Sequence, residues 1–162
     1  MIRSLLLSVA CLAVAILATV RAGEANDLKI IASFGESYSP IHLKKEDTGV
    51  VIRSPQELVA HSNKSDAAKD AEVQKKMVSE VAKLLKVESI DWTKQMILAV
   101  HGHSSGDGSG SIKFRSLKVK DKILHVTWQQ EGRPSLGFVT PRGMALVERF
   151  DGEVKFAPVV KK

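Results

Sequence analysis

The sequence predicts an α+β fold, a mainly antiparallel β-sheet or sandwich packed by one long amphipathic helix and preceded by a signal peptide. Three observations carry this expectation. Val73, Met77, Val81, Leu84 and Leu85 recur at helical spacing and make one apolar stripe. After Asp91-Trp92 the chain changes to short apolar or alternating runs of strand length. Turn residues at Asp121-Lys122 and Asp151-Gly152 divide those runs.

The first 22 residues read as a signal peptide rather than as part of the fold. Arg3 supplies a positive start, Leu5 to Val20 is nearly unbroken apolar chain, and Val20-Arg21-Ala22 ends it with small residues suited to cleavage. The apolar run falls short of the ~20 residues that span a bilayer comfortably. The expectation is therefore an exported chain, periplasmic, envelope-associated or secreted, with no transmembrane span once processed. Residues 23–162 then form a single domain. Cys11 is the one cysteine, and cleavage removes it. Disulfides, thiol catalysis and cysteine-ligated metal are excluded from such a processed chain, which must rest on a buried core. Ser8-Val9-Ala10-Cys11 also resembles a lipoprotein processing site, but the apolar run continues well past Cys11.

Lys and Arg number 24 against 18 Asp and Glu, a formal net charge of +6. Arg3 and Arg21 leave with the signal peptide. The remaining cations are dispersed, and on the helix Glu72, Lys76, Glu80 and Lys83 alternate in sign, as on a solvated face. Nucleic acid is not an expected partner.

Leu28 to Phe34 reads as a strand, followed by a polar connection and a second strand at Gly49 to Arg53. Ser54-Pro55-Gln56-Glu57 then starts a short helix, with Ser54 as cap, Pro55 in the first turn and Glu57 reaching back to the cap's own N–H. The longer helix is expected from Ser65 to about Val87. Gln95 to Val100 reads as a central strand. Ile112 to Val119 and Ile123 to Trp128 form a hairpin about Asp121-Lys122, pairing Val119 with Leu124 and Leu117 with Val126. Ile112 and Phe114 are out of phase with that pairing, and a bulge near Arg115-Ser116 restores it. Asp151-Gly152 suggests a last hairpin, with Val147 opposite Phe156 and Glu148 opposite Lys155. Trp128 shares a face with Leu124 and Val126 and is expected to be buried against the long helix.

Chemistry-bearing residues gather after the central strand. His101 and His103 lie two apart in extended chain and could share a metal, but no third ligand has matching spacing. Ser104, Ser105, Asp107, Gly108 and Gly110 belong to a glycine-rich loop that precedes a strand, whereas a phosphate loop opens a helix. Its one carboxylate, Asp107, is too few for calcium. Arg133 and Pro134 in a second loop, and Thr140-Pro141-Arg142 after it, join a rigid backbone to a forked donor, a combination suited to recognition. No Ser, His and acid combine into a catalytic group. The residues describe recognition surfaces without a cofactor.

The segment 91–158 resembles the PrcB C-terminal domain family, named for a non-catalytic subunit of an exported subtilisin-like protease complex. The likeness rests on Asp91-Trp92, the apolar Met96 to Val100, the glycine-rich Gly102 to Ser111, the strand pair Ile112 to Trp128, Gly132-Arg133-Pro134 and Thr140-Pro141. Ile52-Arg53-Ser54 with its helix is similar to the segment that often precedes such domains. The family's Gly-Gly-Tyr position reads Gly108-Ser109-Gly110-Ser111 here, without the aromatic. The resemblance implies a β-rich, non-enzymatic module that binds or stabilises a protease. In loop layout alone the chain is also similar to chagasin-like peptidase inhibitors. The expected function is a monomeric, non-catalytic binding module with a protein partner, possible proteases included. Peptidase inhibition through the loops and metal binding at His101 and His103 are the alternatives.

Overall fold

The structure, a computed structural model, describes residues 26–36, 40–41, 48–102, 110–131 and 140–159. The expected signal peptide and Cys11 lie outside these residues. Eight strands are described, β1 (Asn26–Asp27), β2 (Ile30–Glu36), β3 (Gly49–Ile52), β4 (Gln95–His101), β5 (Ser111–Lys120), β6 (Ile123–Glu131), β7 (Arg142–Glu148) and β8 (Glu153–Pro158). Two α-helices, α1 (Pro55–Ala60) and α2 (Ala71–Leu85), lie between β3 and β4. The strands form two four-stranded sheets, ordered β1-β5-β6-β8 and β2-β7-β4-β3. The β-rich α+β class is as expected.

Alternation along the central strands explains the layers. Ile97, Ala99, Met144 and Leu146 point from the second sheet into a core shared with Leu58, Val59, Met77, Val81, Ala82 and Leu85 of the helices. Met96, Leu98, Ala145 and Val147 point the other way, against Leu117, Leu124 and Val126 of the first sheet. β4 and β7 are thus buried on both faces, so they read as continuous apolar runs. The helices cover one face of the second sheet, and the first sheet keeps an outward face of alternating polar residues. No described helix is long and apolar enough to cross a membrane.

The first hairpin matches the sequence reading in register. Leu117 pairs with Val126 and Val119 with Leu124, and the register shifts between Phe114 and Ser116. Asp121 and Lys122 form the turn with φ of 52° and 63°, as a tight hairpin with right-handed strands requires.

The expected second hairpin is contradicted. β8 does not pair with β7. It lies in the other sheet and runs parallel to β6, with Val126 beside Phe156 and His125 beside Lys155. The reason is edge availability: β7 is already flanked by β2 and β4, so no edge is left for β8. Two arginines hold the link as a crossover. Arg53 donates to the carbonyls of Phe150 and Gly152 at 3.2 and 3.1 Å. Arg149 donates to the Trp92 carbonyl at 2.6 Å and to Asp151 at 2.8 Å.

Three further expectations are corrected. The longer helix does not begin at Ser65, which starts a separate 3-10 turn ending at Ala67. Asp70 caps α2 by accepting from the N–H groups of Glu72 and Val73. In α1 Ser54 accepts from Glu57 N–H as expected, but the Glu57 carboxylate takes the N–H of Arg53 rather than that of Ser54. The first expected strand begins later, at Ile30 as β2, and is preceded by the separate two-residue β1: β1 pairs with β5 and β2 with β7, and the chain changes sheets at Leu28-Lys29. Gly35 brings β2 back against β5, where any β-carbon would collide with the Ile112 backbone.

Candidate functional site

The candidate residues belong to two segments that cross between the sheets. Residues 103–109 join β4 to β5 and residues 132–139 join β6 to β7, so His103, Ser104, Ser105, Asp107, Gly108, Arg133 and Pro134 lie outside the described residues. Their roots are described, and they lie together. Gly102 N–H donates to the Pro141 carbonyl at 2.8 Å, which joins the start of the first segment to the end of the second. Ser111 is the cross-strand partner of Glu131, which joins the end of the first to the start of the second. Four strand ends from both sheets therefore meet at one end of the sandwich.

Packing fixes these roots. Gly102 and Gly110 are both buried. A β-carbon on Gly102 would strike the Gln130 side chain and approach the Pro141 ring at 3.1 Å, so glycine permits the contact between crossovers. Glu131 accepts from Lys113 at 2.8 Å and from Arg115 at 2.9 Å, while Arg115 also donates to the Gln129 side chain at 3.0 Å. Sequence reasoning missed Glu131 as an anchor. Its signal was present, because continuing the hairpin register through the bulge sets Glu131 opposite Ser111 and close to Lys113.

His101 is half-buried at the end of β4. Alternation places it on the face carrying Ile97 and Ala99, and its cross-strand partner is Arg142. Among the described residues no three His, Cys, Asp or Glu side chains are grouped to hold a metal ion.

Trp128 is buried near the same end, but not against the long helix as expected. It packs between the sheets with Val100 and Ile112, beside Phe114 and Phe156, because the helices lie on the opposite face of the second sheet. Among the described residues its buried indole Nε1 has no hydrogen-bond partner. A buried donor left unsatisfied costs about 1–3 kcal/mol.

At the other end, Asp91 organises the approach to β4. Its carboxylate accepts from Thr93 N–H at 3.0 Å and Thr93 Oγ1–H at 2.6 Å, and Lys94 lies 3.7 Å away. The hydrogen bonds from Thr93, with help from the Lys94 charge, hold this exposed carboxyl below its ordinary pKa. A groove lies between Pro40 and the α2 residues Glu80, Lys83 and Leu84, and among the described residues its lining shares nothing with the loop roots. The chain matches no protein-family model, no curated protein and no solved structure.

Proposed function

We propose that this chain is a non-catalytic exported binding module whose working surface is the sandwich end formed by residues 103–110 and 131–141. The observation that carries the reading is the joining of the four roots, Gly102 to Pro141 and Ser111 to Glu131. The ends of two glycine- and proline-containing segments are thereby held together on a buried base, an arrangement suited to recognition because the base fixes where the segments start and finish. Arg133, two residues beyond Glu131, supplies a directional donor. The partner class is a protein, with an exported subtilisin-like protease as the specific candidate suggested by the resemblance of residues 91–158.

The test incubates the processed protein with a panel of subtilisin-like and papain-like proteases and follows protease activity and survival. Stable complex formation with a subtilisin-like enzyme, without loss of its activity, supports the reading. Inhibition of papain-like enzymes turns it toward peptidase inhibition. Turnover of a substrate by the purified chain itself overturns a non-catalytic role.

A further inference from the structure

The outward face of the first sheet carries a charge pattern independent of the loop end. The bulge between Phe114 and Ser116 resets the alternation of β5, so Lys113, Arg115, Lys118 and Lys120 are all exposed. Every outward charged residue of this strand is therefore a cation. Lys118 is directly opposite His125, which is in turn beside Lys155 on β8.

The acids on this face compensate unevenly. Glu131 is shared by Lys113 and Arg115, and Glu153 lies 3.4 Å from Lys155. Asp27 is the register partner of Lys118, but Lys118 and Lys120 make no ion pair among the described residues. At the turn itself exposed Lys122 stands beside exposed Asp121, so the face keeps a modest positive excess along its whole length rather than at one end. No described helix covers this face, whereas the second sheet is covered by both helices.

The geometry points to a peripheral docking face for an anionic lipid bilayer. Charge complementarity selects an anionic occupant, and the form of the patch selects a bilayer. The cations are spread along a 10-residue strand and across its neighbours rather than focused in a cleft, which matches a laterally uniform charged surface. Lysine dominates, and its flexible point charge suits mobile headgroups better than a fixed bidentate partner. Among the described residues the large exposed apolar side chain of this face is Val159 at its far end, too little to anchor the protein in acyl chains, so attachment is chiefly electrostatic, reversible and sensitive to salt. Each lysine near an anionic leaflet contributes modestly, and the attraction decays within a Debye length.

The experiment uses processed protein from the extracytoplasmic fraction and co-sedimentation with phosphatidylglycerol-containing vesicles. Phosphatidylcholine vesicles are the neutral control. Binding is expected to the anionic vesicles only, and to vanish near ~1 M salt, where the screening length is about 3 Å. Lys118→Glu/Lys120→Glu should bind at least about tenfold more weakly. Lys75→Glu/Lys76→Glu, an equal change of net charge on α2, should stay within about twofold of the parent. Circular dichroism and a thermal melt check that both variants fold, and Lys118→Gln/Lys120→Gln gives an intermediate arm. Equal loss in the two charge-reversed variants would assign binding to net charge and overturn the docking face. Binding to neutral vesicles, or no binding at low salt, would also overturn it. So would retention by poly-glutamate alone, which would identify an acidic polypeptide as the occupant.

Discussion

Three residues show how the chain accepts local cost to keep its fold. Lys86, Asp121 and Lys122 all have positive φ, at 57°, 52° and 63°, a region that penalises side chains with a β-carbon. Lys86 closes α2 in the left-handed conformation that glycine usually supplies. Replacing Lys86 or Lys122 by glycine is therefore expected to stabilise the protein, by about 0.5–1 kcal/mol each. Denaturant titration checks this, and destabilisation would contradict the backbone assignment. Trp128 should behave in the opposite way. Trp128→Ala is expected to cost roughly 3–5 kcal/mol. Trp128→Phe should cost much less, because it removes, along with some apolar area, a donor that has no partner among the described residues. The turn and the burial of Trp128 were legible from alternation about Asp121-Lys122. What Trp128 packs against was not, because alternation assigns a face without saying which layer covers it.

At the scale of elements, local grammar was legible wherever it was not contested. Ser54 and Pro55 begin α1 as their chemistry requires. Before α2 two residues could cap, Ser65 and Asp70, and the geometry gives Asp70 the α-helix. The 3-10 turn at Ser65 is joined to α2 by Gln74, whose side chain donates to the Ala68 carbonyl at 2.7 Å. Asp70→Ala should cost about 1 kcal/mol, measured by thermal melting, whereas Ser65→Ala should change little. The Asp91 turn has a pH signature. Its carboxyl is held below the ordinary value, so its stabilising contribution is full above the unfolded pKa of about 3.9 and is lost as pH falls through the lower folded value. The melting difference between the parent and Asp91→Ala should therefore shrink toward zero on acidification. A difference that grows would contradict the Thr93 contacts as its source.

Across the whole molecule, the sequence indicated strands but not their division into two sheets. A hairpin with a two-residue turn leaves a local pattern, and β5–β6 was readable for that reason. Pairings between distant segments leave none, so β2 beside β7 and the parallel β6–β8 contact were beyond reach. Asp151-Gly152 had the chemistry of a tight turn, yet neighbours on both sides of β7 overrode it. At the candidate site, the meeting of Gly102 with Pro141 and of Ser111 with Glu131 left no local pattern, because it depends on β4 and β7 lying in one sheet and β5 and β6 in the other.

The central claim is that this loop end captures a partner. Its most direct test measures capture from the exported fraction by immobilised parent protein, by Arg133→Ala, by a chain shortened within Ser104–Gly110, and by Lys75→Ala on α2. The account expects both loop variants to lose capture while melting close to the parent, and Lys75→Ala to retain it. Undiminished capture by both loop variants, with loss in Lys75→Ala, would contradict the account and move the working surface to the helical layer.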